Sequence, residues 1–319
     1  MLSLVKRVAA AALFCGAAFA ARAEYPEHPV RLIVPFGAGS STDLLARMVA
    51  KQMTDDSGQP IIVDDRPGAE GMIGMRDAAK APADGYTVLF TSSSTQVLNP
   101  GLYNTLSYDP IKDFVAISTL AQFSLVMNVG PKAPFKSAQE MITAAKAAPG
   151  KYTFASGSAA TRLGGELIQQ MTGIKLQHVP YKSNAAALND VMTGQVDMMF
   201  LDYPSSLPLY SLGVRPVATT GVQRISTLAN VPTIGETAVK GYAVTGWWGV
   251  FLPANAPAPI AARLTAMIDK AMASPSAKEF MAHNGLAPYL VKGPDLVKLE
   301  ADETAHWSQV IRTANIPKQ

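Results

Sequence analysis

The stretch VRLIVPFGAGSST, residues 30–42, decides how the rest of the chain is read. Val30–Val34 is an uninterrupted apolar and β-branched run broken only by Arg31, the signature of a strand buried on both faces. Pro35 stops it, and Phe36, Gly37, Ala38, Gly39 and Ser40 form a small-residue turn. Residues 42–53 then read as a helix.

The same unit recurs along the chain. Ile61, Ile62 and Val63 lead through residues 64–74 into a helix ending near Lys80. Residues 86–90 lead into Thr91, Ser92, Ser93 and Ser94. Residues 152–155 lead through Ser156, Gly157 and Ser158 into a helix over residues 161–171. Residues 176–180 lead through Tyr181, Lys182, Ser183 and Asn184 into a helix over 185–192. Residues 196–201 lead through Asp202 and Tyr203 into a helix opening at Pro204, and Arg215–Thr219 is a further buried strand. Strands alternating with helices predict parallel α/β units with right-handed crossovers, and a ligand crevice at the carboxyl ends of the strands.

Two long apolar stretches, residues 123–129 and 242–252, have no helix directly before them and read as crossings between domains. The division expected is residues 24–122 plus 247–319 for the first domain and 123–246 for the second. Residues 1–23 read as a signal peptide: Lys6 and Arg7 precede an apolar run, and Ala21-Arg22-Ala23 suits signal peptidase. Its removal would take three basic residues and no acid, leaving 24 Lys plus Arg against 24 Asp plus Glu. It would also take the only cysteine, Cys15. A neutral chain without a basic stripe makes nucleic acid an unexpected partner. Export to the periplasm, no disulfide, no metal site and no cofactor are expected.

Four loop–helix junctions combine small residues with hydroxyls: residues 37–42, 91–95, 156–161 and 181–184. The first turn of a helix carries unpaired N–H groups and partial positive charge, and small residues let an anion reach them. A hydroxyl before a helix is ordinarily only a cap. Four such junctions spread over both domains point to a carboxylate or phosphate site. Arg162 follows the third and could clamp a carboxylate through two parallel hydrogen bonds. Phe36, Trp247 and Trp248 could supply apolar walls, or pack in the core. Asp202, at a strand's carboxyl end, could face the cleft.

Catalytic signatures are absent. There is no G-x-S-x-G or H-E-x-x-H and no β-lactamase-type S-x-x-K followed by its partners, and Gly37-Ala38-Gly39 lacks both a third dinucleotide-loop glycine and a P-loop lysine. His28, His178, His283 and His306 are too scattered for a zinc site. A rival reading, a secreted serine hydrolase using Ser158 or Ser93, requires His178 within reach of one of them.

Several motifs together resemble the Bug-type extracytoplasmic receptors of tripartite tricarboxylate transporters. They are YPEHPVRLIVPFGAGSSTDLLAR (25–47), DDRPGAEGMIG (64–74), DGYTVLF (84–90), YDPIKDF (108–114), ASGSAATRLGGEL (155–167), HVPYKSNAAALNDVMTGQVDMMF (178–200), VPTIGE (231–236) and GWWGVFLPA (246–254). The resemblance implies a type II periplasmic binding protein-like fold: two α/β domains, a central ligand cleft and two crossing strands. It implies carboxylate binding by Phe36, Gly37, Ala38, Gly39 and Ser40 from one domain and Ser156, Gly157, Ser158, Thr161 and Arg162 from the other. Ser92, Ser93, Ser94 and Asp202 border the cleft in that scheme. Two departures stand out. The first loop often reads Pro-Phe-Pro-Pro-Gly-Gly in the family, and a histidine is frequent where Arg162 stands. An arginine there would suit a second anionic group, which with the aromatics favours an aromatic dicarboxylate such as terephthalate. Aliphatic di- or tricarboxylates, or a sensor subunit, are the alternatives. The expected partners are the small carboxylate and membrane transporter subunits, with the receptor itself a monomer.

Overall fold

A computed structural model describes residues 25–319. The signal-peptide reading of residues 1–23, with Cys15, falls outside them.

The strands are β1 (Val30–Val34), β2 (Ile61–Asp65), β3 (Thr87–Ser92), β4 (Phe114–Val129), β5 (Thr153–Ser156), β6 (Gln177–Pro180), β7 (Met198–Asp202), β8 (Arg215–Thr219), β9 (Thr245–Pro253) and β10 (Ala287–Pro288). The helices of more than one turn are α1 (Ser41–Ser57), α2 (Met72–Ala79), α3 (Ala138–Ala147), α4 (Ala159–Thr172), α5 (Asn184–Thr193), α6 (Ala258–Ala273), α7 (Pro275–His283) and α8 (Gly293–Thr313). The deciding stretch folds as read: β1 is buried except at Arg31, and it lies between β2 and β3, parallel to both. Helix α1 turns Leu45, Ala46, Val49, Ala50 and Met53 inward at helical spacing.

The strand order is β2-β1-β3-β9-β4-β7-β5-β6, with β8 and β10 also on β4. β4 holds the two halves together. Its first part, to Ser124, pairs antiparallel with β9, and from Leu125 onward it pairs with β7 and β8. The return passage lies beside this change of partners. Val244 is hydrogen-bonded to Thr220 in the second half, and Thr245 pairs with Ser124 in the first. β5, β6 and β7 form the parallel part of the second lobe.

The tryptophans expected as candidate cleft walls are structural. Side chains alternate across a strand, so Trp247 and Trp248 leave β9 on opposite faces, and both are almost fully buried. The Trp248 indole donates to Thr42 Oγ1 at 3.0 Å, and that of Trp247 to Glu303 Oε2 at 2.9 Å.

Glu303 and Glu300 lie on the inner side of α8. Glu300 is 2% exposed and its Oε1 has no hydrogen-bond partner. Burial, and then the neighbouring Glu303 charge, push its carboxyl up to about 8. The folded chain therefore keeps this proton while the unfolded chain loses it above about pH 4.5. This group's contribution is full below that pH and falls as pH rises towards 8. Glu300→Gln removes the titration. Its melting temperature relative to wild type is expected to climb between pH 5 and pH 8, by roughly 2–4 °C for each kcal/mol. A difference that stays flat with pH in thermal melts would contradict this.

Candidate functional site

The cleft begins where β1 ends. Gly39 takes φ +78, a left-handed conformation that side chains disfavour. Its N–H donates to Asp43 Oδ2 at 2.8 Å, and Asp43 N–H donates back to the Ser40 cap at 3.3 Å. The loop is thus locked onto the first turn of α1, with part of the helix's positive end balanced by Asp43.

The facing loop is built in the same way. Thr161 Oγ1 accepts from Gly157 N at 3.2 Å and Ser158 N at 3.1 Å, and donates to the Ser158 carbonyl at 2.8 Å. A Cβ on Gly157 would lie 2.3 Å from the Ser183 carbonyl carbon and 2.4 Å from Asn184 N. Only glycine lets these two loops of the second lobe touch. Ser183 caps α5 by accepting from Ala186 N at 3.3 Å.

Together these loops enclose a narrow cleft with about 50 Å³ of free internal volume. One wall is Pro35, Phe36, Gly37, Gly39 and Ser40, continued by Pro67, Gly68 and Gly71. The other is Gly157, Lys182, Ser183, Asn184, Ala185, Leu188 and Ser205. The lining contains no carboxylate side chain.

The expected site residues therefore divide. Phe36, Gly37, Gly39, Ser40 and Gly157 line the cleft, and Ala38 is exposed beside it. Ser158 and Thr161 are buried and shape the turn that carries Gly157. Ser92, Ser93 and Ser94 are buried away from the lining: Ser92 Oγ accepts from Ser94 N, and Ser93 Oγ accepts from Trp247 N. The Ser93 hydroxyl thus serves the junction with β9, and the Ser92 hydroxyl holds its own turn. The Pro67–Gly71 and Lys182–Leu188 contributions were not singled out as ligand contacts. The Gly-rich motif after β2 and the hydroxyl junction at residues 181–184 were the available signals.

Arg162, expected to clamp the ligand, is 3% exposed. Its Nη2 donates to the Pro317 carbonyl at 2.5 Å, and its Nε lies 3.7 Å from Glu166 Oε1. Its charge also draws the Glu70 carboxyl down against the larger upward push of burial, and acts the same way on Glu166. Arg162 is buried outside the cleft lining, and its Nε and Nη1 have no hydrogen-bond partner among the described residues.

His178 is neutral at physiological pH: burial, and then the Arg162 charge, lower it to about 4. It hydrogen-bonds Ser156 Oγ at 2.7 Å and stacks on Phe154. Neither serine of the hydrolase reading has this partner, and Ser156 is fully buried. The pair has no exposed nucleophile to offer a substrate.

Asp202 does not line the cleft; it bridges the lobes. It ends β7, accepts from Ser205 N at 3.1 Å and is hydrogen-bonded by the Ser41 hydroxyl from the first lobe. Ser205 Oγ accepts from Ser41 N at 3.0 Å. Burial pushes the Asp202 carboxyl up, and these hydrogen bonds oppose the push.

A two-lobed α/β body joined by a shared strand, with a small cleft lined by residues of both lobes, is the architecture of a solute-binding protein. The model of the tripartite tricarboxylate transporter family receptor, TctC, matches residues 45–316. The chain belongs to this family. It is 33% identical over 291 residues to a Pseudomonas sp. strain P51 protein of the tcbD–tcbE intergenic region, covering 90% of this chain and 86% of that one. It is 32% identical to Bordetella pertussis BugT, covering 90% of each. Among solved structures, Rhodopseudomonas palustris Rpa4515 with adipate superposes with a TM-score of 0.89 at 31% identity, covering 93% of this chain and 100% of that one. The periplasmic binding protein BugD superposes with a TM-score of 0.88 at 29% identity, covering 92% and 100%.

Gly157→Ala tests the contact between the two second-lobe loops. Overpacking of this kind costs about 1–3 kcal/mol, so a lowered melting temperature and weakened ligand binding are expected together. Wild-type melting and affinity would show that the loops can separate freely.

Proposed function

We propose that this chain is a periplasmic receptor, exported by residues 1–23, that closes its lobes over a small dicarboxylate. The closed form is then read by the membrane subunits of a tripartite tricarboxylate transporter. The observation that carries the reading is the cleft itself. The α1 and α5 N-termini and the Gly157 turn meet in it, with serine hydroxyls and no acidic lining. Helix N-termini favour anions, and small residues give them access.

The lobes correspond to residues 24–122 plus 247–319 and residues 123–246, hinged where β4 changes partners and the chain returns into β9. Ser41, Asp202 and Ser205 favour the closed arrangement, and a ligand that binds closed better than open shifts the population further.

The ligand is best described as two carboxylates on an apolar spacer. Phe36, Pro35, Pro67 and Leu188 supply apolar lining, and Rpa4515, a relative by structure, holds adipate. An aromatic spacer, as in terephthalate, suits the same lining through Phe36. The tryptophans and Arg162 no longer argue for it, since they are buried outside the lining.

Thermal-shift titration with adipate, terephthalate, malate and citrate tests the reading. A ligand at a hundred times its Kd adds about 2.7 kcal/mol. Adipate and terephthalate are expected to raise the melting temperature most. No shift with any carboxylate would end the proposal. Asp202→Ala is expected to weaken binding by about 1–3 kcal/mol and to enlarge the ligand-free molecule in solution scattering. Unchanged scattering and affinity would remove the closing role.

A further inference from the structure

We propose that Lys182 is the specificity-determining cation of the cleft, taking the second carboxylate of the ligand. The proposal rests on the dicarboxylate reading and adds to it the group that separates di- from monocarboxylates.

Lys182 is the one ionisable side chain among the residues lining the cleft. Among the described residues it has no hydrogen-bond or ion-pair partner, and it is exposed. Arg162, the nearest alternative in sequence logic, is buried, bonded to Pro317 and flanked by Glu70 and Glu166. Arg162 is thus buried outside the lining, whereas Lys182 is exposed within it. Only the exposed ammonium can meet an incoming carboxylate without a rearrangement of the interior.

The backbone of Lys182 is also held in place. Tyr181 N–H donates to the Ser156 carbonyl at 2.8 Å, and the Tyr181 hydroxyl donates to Asp190 at 2.5 Å. On the other side Ser183 caps α5 and lies against Gly157. Lys182 thus sits on a loop fixed to the same turn that forms the second wall. Phe36 and Leu188 line the same cleft, which has no acidic side chain in its lining. One carboxylate at the first-lobe loop and one at Lys182 would leave the spacer on that apolar lining.

Calorimetric titration of the purified chain with matched pairs tests this: adipate against hexanoate, and terephthalate against benzoate. Lys182→Met is expected to weaken the dicarboxylate of the preferred pair roughly tenfold, the size of a charge-assisted contact at a part-open site. The matching monocarboxylate should be unaffected, and the salt dependence of dicarboxylate binding should flatten. Lys182→Arg should retain most of the affinity. If wild type binds a dicarboxylate and Lys182→Met leaves the di-to-mono ratio unchanged, this proposal fails alone. If wild type binds no carboxylate, the receptor reading fails with it.

Discussion

The structure depends on one hydrogen-bonding constraint: β4 is a single strand that serves two sheets. Between Ser124 and Leu125 its antiparallel partner changes from β9 to β7 and β8. Backbone groups in a buried strand must be paired, so neither lobe can detach from β4 without breaking its own ladder.

Within the cleft, much of the polar equipment is engaged by the protein itself. Asp43 takes the Gly39 amide, Thr161 takes the Gly157 and Ser158 amides, and Ser41 and Ser205 meet Asp202. These bonds hold the loops in position before a ligand arrives, so less ordering remains to be done on binding. They also limit which donors can face an anion directly. The Ser183–Ala185 turn at the start of α5 gains importance for that reason.

The Ser156–His178 pair illustrates why geometry outranks inventory. A serine and a neutral imidazole at 2.7 Å satisfy part of a catalytic description. Yet Ser156 is fully buried behind the cleft turn, and Arg162 beside the imidazole makes protonation of His178 harder. A base that must accept a proton during attack is poorly placed next to a buried cation. The pair stabilises the β5–β6 edge instead.

The sequence by itself determined the order of strands and helices, because apolar periodicity and Gly, Pro and Ser punctuation are local properties. VRLIV became a buried strand between β2 and β3, and residues of the loops after β1 and β5 line one cleft. It could not determine what each charged or aromatic side chain would face. Arg162 finds Pro317 across 155 positions of chain, and Ser41 finds Asp202 across 161. The tryptophans look like cleft walls until strand alternation and the α8 carboxylate place them inside. Partners that distant are chosen only when the lobes pack. Tertiary structure therefore decided that Arg162 is buried in the interior while Lys182 stays exposed in the cleft lining.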